Sequence, residues 1–278
     1  MNKKLIRHII VLTIVSVLFF FAGDNGLTVT KMQGYKALKA FAEASSSISG
    51  EFKVYETRNF TIKYTEADAD IVGDLGNIFE KSLRVEGERY SYKPSRKMTV
   101  FLYSDQESFW EHQPVVKGQA VMGMYNLGVI HVLSPKAYLS KEQIKEKDFE
   151  KGGPILHEYV HSVIDEKTRG NLELWLTEGI ALYEEYAVDG VEWSPGYIYE
   201  SSFTADELRN NFAALEENQA YRQSFDIVKG LIDNYGKENL ITLLGELKSG
   251  SPMEAAFRKV YGLGLDEYIN SNGYIERP

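Results

Sequence analysis

The residues best suited to chemistry lie in the apolar decapeptide ILHEYVHSVI, residues 155–164, which holds two histidines and a glutamate. Polar groups in an apolar run are costly unless something satisfies them, so His157, Glu158 and His161 need partners. His157 and His161 are four residues apart, so in a helix both imidazoles lie on one face and can reach the same ion. Glu158 then points roughly 100° away, within reach of a water bound to that ion. This is the HExxH spacing of zinc sites, in which the glutamate is the general base.

A catalytic zinc site requires a third protein ligand and leaves a fourth position for water. Residues 172–187 follow a break at 167–171 and have the apolar spacing of a second helix, which we expect to pack on the first. Glu178 has apolar neighbours in this segment, and a glutamate in such surroundings is unfavourable without a partner. Because glycine costs about 1 kcal/mol in a helix interior, Gly179 indicates a close approach of the two helices. We therefore predict that Glu178 is the third ligand.

The other polar candidates receive no metal role. Glu185 follows Glu178 by two helical turns, and we interpret it as an exposed charge, with a supporting contact to the site as the alternative. His131 is predicted to face solvent or substrate from a strand, and His112 to lie in a loop. Few acidic residues occur between 162 and 177, so the sequence names no partner for the second ring nitrogen of either predicted histidine ligand.

The elements that must position these residues change in character along the chain. Alternating apolar and polar residues predict two strands within 51–65, one ending at Tyr103, and two more around residues 126–128. From Pro154 onward nearly every segment has helical spacing. Strands first and helices afterwards predict an α+β fold, in which a small mixed sheet packs on the HExxH helix and a helical C-terminal lobe follows. The aromatic stretch 188–203 is predicted to be a loop over the site.

Composition restricts the classes of function. The chain has 278 residues, of which 44% are hydrophobic and 26% charged, as in ordinary globular proteins. Its formal net charge of -9 makes nucleic acid a poor partner. It contains no cysteine, so any metal must be held by His, Asp or Glu.

The N-terminus is typical of a targeting segment. Three basic residues precede an apolar run at 9–22, as in a secretory signal or a signal anchor. We expect a retained membrane anchor with the domain outside the cytoplasm; a cleaved signal peptide and secretion are the alternative. The predicted boundaries are 1–28 for this segment, 29–50 for a spacer that either masks the site or separates it from the membrane, and 51–278 for the catalytic domain.

HEYVH at 157–161, followed by WLTEGIALYEE around Glu178, resembles the gluzincin clan of zinc metallopeptidases. It most resembles the bacterial peptidase-MA-like proteins, in which a Trp-Leu-x-Glu-Gly-x-Ala element follows HExxH. The similarity covers about 95–270 and is densest at 155–185. It implies a zincin-like fold, zinc bound by the two histidines and Glu178, and Glu158 as the base. It also implies an antiparallel edge strand that binds the substrate backbone, for which 128–135 is the match.

These features predict an extracytoplasmic zinc-dependent metallopeptidase, either an endopeptidase or aminopeptidase-like, which hydrolyses peptide bonds with a zinc-bound water activated by Glu158. Tyr221, at the start of the helix after the aromatic loop, is the candidate for stabilising the oxyanion. Fold alone does not decide function, so two alternatives stay open. One is a non-catalytic binding or assembly module on the same fold, and the other is a cell-wall amide hydrolase.

Overall fold

The computed structural model of the protein describes residues 28–46, 52–118 and 120–271. The predicted signal or anchor segment, 1–28, lies outside these residues except for its last position. Among the residues that the structure describes, no helix is long and apolar enough to cross a membrane. The predicted spacer contains a helix, α1 (Thr28–Ser46), and the predicted domain boundaries stay predictions.

A five-stranded mixed sheet forms the first half of the described fold. Its strands are β1 (Lys53–Glu56), β2 (Phe60–Tyr64), β3 (Met98–Tyr103), β4 (Gly123–Asn126) and β5 (Val129–Leu133), in the spatial order β1-β2-β3-β5-β4. Strands β2, β3 and β5 are parallel, whereas β1 and β4 pair antiparallel with β2 and β5. The predicted small mixed sheet with an antiparallel edge strand is confirmed.

The prediction that 128–135 is the edge strand is wrong. Strand β5 pairs with β3 on one side and with β4 on the other, so its backbone hydrogen bonds are used on both sides. The edge strands of the sheet are β1 and β4, and the free edge beside β5 belongs to β4. All five residues of β5 are buried, and a continuous apolar run of this kind is typical of an inner strand covered on both faces.

The helices dominate the second half of the described chain. After α1 they are α2 (Val72–Arg89), α3 (Gln106–His112), α4 (Lys141–Glu146), α5 (Pro154–Thr168), α6 (Leu174–Asp189), α7 (Ala205–Asn210), α8 (Glu217–Tyr235), α9 (Lys237–Lys248), α10 (Met253–Tyr261) and α11 (Leu265–Ser271). Helices α2 and α5 pack on one face of the sheet, and α3 on the other. Helices α6 and α8 pack together in the C-terminal lobe. The α+β fold class with a helical C-terminal lobe is confirmed.

Alternation along the strands divides the core into two parts. Val100 and Leu102 of β3 face α5 and belong to the main core, whereas Phe101 and Tyr103 join a smaller cluster under α3. Trp175 of α6 is fully buried. The HExxH helix therefore lies between the sheet and the helical lobe, with neighbours on both sides to hold it.

Candidate metal centre

Helix α5 presents both histidines on one face. The helix begins at Pro154, whose missing N–H would have no partner in the first turn anyway, directly after Gly153. One turn separates His157 from His161, and their ring centroids are 4.7 Å apart in an edge-to-face arrangement. The apolar residues of the same helix face the sheet and the lobe, so the two rings are held by a helix that is itself anchored in the core.

Glu178 approaches the two histidines from α6. Its Oε2 atom lies 3.2 Å from Nε2 of His157 and 3.5 Å from Nε2 of His161. Tetrahedral zinc with ligand bonds of about 2.0–2.1 Å spaces its ligand atoms roughly 3.3 Å apart. The two distances bracket that value, and the donor set of two imidazoles and one carboxylate is one that zinc accepts. These three residues therefore fit a zinc ion, and the structure brings together the side chains that the sequence predicts as ligands.

Electrostatics at this cluster favour a cation. Burial lowers the pKa of His157, but its hydrogen bonds to Glu178 and Glu185 outweigh this effect and hold the pKa well above its ordinary value. Burial raises the pKa of Glu178, but the interactions with His161 and His157 lower it by more. The pKa of Glu178 therefore lies far below its usual range. Glu178 is therefore an ionised carboxylate in a nearly dry site. A metal ion would take the place of the proton that the histidines otherwise carry.

The second ring nitrogens of both histidines have partners. Nδ1 of His157 lies 3.1 Å from Oε2 of Glu185, and Nδ1 of His161 lies 2.8 Å from the Thr177 hydroxyl. Such contacts fix the ring orientation and direct the other nitrogen towards a metal. The interpretation of Glu185 as an exposed charge is wrong, because only 13% of its side chain is exposed. The sequence did contain a signal for this contact: Glu185 follows Glu178 by two helical turns, which puts both carboxylates on one face of α6.

Glu158 faces the edge strand rather than the histidine rings. It is only 6% exposed, and the Tyr125 backbone N–H of β4 interacts with its carboxylate. Burial raises the pKa of Glu158, and His161 and His157 oppose this increase without cancelling it. A raised pKa brings a carboxylate closer to the range in which a general base works at neutral pH.

Tyr221 lies near the cluster, on the first turns of α8. Its ring packs against Trp193 of the loop 191–203 and against Phe212, with centroid distances of 5.9 Å and 5.4 Å. Burial raises the pKa of its hydroxyl, and the charges of Glu178 and Glu158 raise it further, so Tyr221 remains neutral and able to donate. Its role as oxyanion stabiliser stays a prediction.

The structure also tests the predictions for Gly179, His131 and His112. Gly179 does mark a close approach, but of α6 to α8 rather than to α5, since a Cβ at this position would lie 2.4 Å from the Ser224 carbonyl oxygen. His131 does not face solvent: it is 6% exposed, and its ring is hydrogen-bonded to Tyr103 and Gln113. His112 is exposed and ends α3, so it lies in a helix and not in a loop.

Comparison with known proteins agrees with the geometry. Residues 144–272 match the family model of the peptidase MA superfamily. A search of the curated proteins finds no match to this chain. This similarity supports a zinc metallopeptidase type of function in general, that is a hydrolase with a bound metal, usually zinc. The matched segment contains His157, Glu158, His161 and Glu178. Over residues 144–272 the chain is therefore similar to the peptidase MA superfamily, in the gluzincin clan of zinc metallopeptidases.

Proposed function

We propose that this protein is an extracytoplasmic zinc-dependent metallopeptidase in which Glu158 is the general base. The main support is the convergence of Nε2 of His157, Nε2 of His161 and a carboxylate oxygen of Glu178, all within 4.8 Å of one another. Glu158, which is buried, adjoins His157 on α5. The extracytoplasmic setting rests on the basic and apolar N-terminal sequence.

Each residue of the site has its own role in the proposed reaction. Zinc, when bound, polarises the scissile carbonyl and lowers the pKa of a water. Glu158 takes a proton from the attacking water and delivers it to the leaving amine. The Tyr221 hydroxyl donates to the oxygen on which negative charge develops. Glu185 and Thr177 keep the two imidazoles in the orientation that leaves their Nε2 atoms free for the metal.

The free edge of β4 is the place for a peptide substrate. The Met122 carbonyl accepts from the Leu133 N–H of β5, so by alternation Gly123 and Tyr125 direct their backbone groups outward. A peptide added as a further strand would bond to the backbone groups of Gly123 and to the Tyr125 carbonyl, because the Tyr125 N–H is directed at Glu158. We therefore transfer the proposed substrate contact from 128–135 to 123–126.

One experiment separates the proposal from its alternatives. Wild type, Glu158→Gln and His157→Ala are analysed for zinc and tested on a peptide library with free and acetylated N-termini. We expect one zinc per chain and cleavage in wild type, zinc without cleavage in Glu158→Gln, and reduced zinc in His157→Ala. Cleavage of acetylated peptides indicates an endopeptidase, and cleavage only of free N-termini an aminopeptidase.

Two outcomes of this experiment contradict the proposal. Zinc in wild type with no cleavage of any peptide would favour the non-catalytic binding module, or the cell-wall amide hydrolase if cell-wall fragments are cleaved instead. Equal cleavage by wild type and Glu158→Gln would refute Glu158 as the base.

A further inference from the structure

Gly123 of β4 lies directly against the proposed base. A Cβ atom at this position would lie 2.6 Å from Oε1 and 2.7 Å from Cγ of Glu158, and 2.8 Å from Cβ of Pro154. Contacts of this length do not occur between real side chains. The strand therefore touches α5 at this point without any space for a methyl group.

The backbone conformation of Gly123 does not require glycine. Its φ is outside the positive range, unlike that of Gly190 or Gly128. It also lies within a regular β-strand, where glycine is weakly destabilising. Glycine in a strand interior often marks a close approach of another group. The missing side chain, rather than backbone freedom, is thus the property that matters here.

The strand cannot easily move away from Glu158 to make room. Two residues along, the Tyr125 hydroxyl donates to Oδ2 of Asp165 on α5 over 2.5 Å. Asp165 is also paired with Lys39 of α1, at 2.6 Å, and both side chains are largely buried. Tyr125 is thereby held by its hydroxyl at one end of α5, while its backbone N–H is directed at Glu158.

We propose that Gly123 is a positioning residue for Glu158: the space that its missing side chain leaves lets the glutamate carboxylate settle on the Tyr125 backbone N–H. This inference rests on the proposed function, since it concerns the base of that reaction. A methyl group at 123 would displace the Glu158 side chain. We expect the three predicted zinc ligands to remain in place, because the atoms nearest to a Cβ at this position belong to Glu158 and Pro154.

The substitution Gly123→Ala tests the inference in the full-length, zinc-loaded protein. We expect zinc content to be unchanged, kcat to fall about tenfold to a hundredfold, and KM to change little, because a displaced base affects the chemical step alone. Gly245→Ala is the matched control: it lies in α9, where a Cβ meets no atom within 4 Å, and it should leave all these quantities unchanged.

A readout independent of activity keeps the test decisive. The Tyr125 amide points to the free edge, and among the described residues Glu158 is the acceptor directed at it, so we expect Glu158 to protect it from hydrogen exchange. With 15N-tyrosine labelling, we expect its exchange to be at least about tenfold faster in Gly123→Ala and in Glu158→Ala than in wild type, and unchanged in Gly245→Ala. Unchanged exchange of this amide in Gly123→Ala would overturn the inference even if no substrate is found. Absence of cleavage by wild type would instead contradict the proposed function.

Epistasis gives a final check where wild type is active. Aspartate is shorter than glutamate by one methylene group, so Glu158→Asp withdraws the carboxylate from residue 123. We expect Gly123→Ala to reduce kcat by less than about threefold in the Glu158→Asp background. An equal reduction in both backgrounds would mean that Gly123 acts through something other than Glu158.

Discussion

Nδ1 of His157 lies 3.1 Å from Oε2 of Glu185, on the same helix that supplies Glu178 to the other nitrogen of that ring. Helix α6 thus holds His157 from both sides, with two carboxylates two turns apart. One of them is predicted to share the metal with the ring, and the other orients the ring. The site consequently depends on the packing of α5 against α6 as much as on the HExxH motif.

Removal of the Glu185 carboxylate should weaken zinc binding. In Glu185→Ala the His157 ring loses the partner that fixes its orientation, and we expect zinc affinity to fall about 10- to 100-fold in chelator competition. Glu111→Ala, at an exposed position of α3, is the control for the loss of one negative charge. Equal affinities in Glu185→Ala and wild type would show that this contact does not support the metal.

Loss of the Tyr221 hydroxyl should slow catalysis without unfolding the site. Tyr221→Phe keeps the ring contacts with Trp193 and Phe212 but removes the donor, so kcat should fall about 10²- to 10³-fold with KM little changed. Tyr235→Phe, at the other end of α8, should retain the wild-type rate. Steady-state kinetics on the best library peptide provide the measurement, and a wild-type kcat in Tyr221→Phe would remove Tyr221 from the mechanism.

A substitution at Gly179 should destabilise the protein. Alanine is favoured over glycine in a helix by about 1 kcal/mol. At this position, however, its Cβ would lie 2.4 Å from the Ser224 carbonyl oxygen and 2.8 Å from Cγ2 of Val228. Overpacking of this kind costs about 1–3 kcal/mol, and a backbone atom cannot rotate away, so we expect the free energy of unfolding to decrease. Urea unfolding of Gly179→Ala beside Gly245→Ala measures it; equal stability of the two variants would contradict the tight contact between α6 and α8.

A buried charge cluster lies behind the site, between α2, α6 and α9. Glu184 accepts hydrogen bonds from the Tyr90 hydroxyl at 2.6 Å, from Nζ of Lys237 at 2.7 Å and from Arg89. Glu86 is fully buried beside it, and neither of its carboxylate oxygens has a hydrogen-bond partner. Burial, and then the charge of Glu184, raise the pKa of Glu86 to about 8, although Lys237 and Arg89 oppose the increase.

This shift makes stability depend on pH. Below the unfolded value of 4.5 both states hold the Glu86 proton, so its contribution to stability is fully present. Between 4.5 and about 8 only the folded state keeps the proton, so the free energy of unfolding decreases by up to about 1.4 kcal/mol per pH unit, and the contribution levels off above that range. Glu86→Gln stays neutral and should lack this decline. Denaturant unfolding from pH 5 to 9 should therefore show that the free energy of unfolding of Glu86→Gln increases relative to that of wild type as pH rises. Glu238→Gln is the control at an exposed position. A constant difference between Glu86→Gln and wild type over this range would contradict the raised pKa of Glu86.

The sequence alone determined the chemistry-bearing residues and their local structure. Helical spacing is a property of neighbouring residues, so the helix from Pro154, the shared face of His157 and His161 and the offset of Glu158 followed without tertiary information. The apolar surroundings of Glu178 singled it out as well, because a buried carboxylate requires a partner. The strands before the HExxH helix were also recognisable from their alternation.

Only the tertiary structure decided which groups meet across elements. Strand order is set by pairing between distant segments, so the sequence did not show that the edge strand is β4 rather than 128–135, or that His131 is buried. The crossing of α5 and α6 brought Glu185 to His157, and the packing of β4 on α5 brought Gly123 to Glu158. Spacing within one segment does not fix these contacts by itself, because each depends on how two separate elements pack. The sequence thus specified the reacting groups, and the fold supplied the neighbours that orient them.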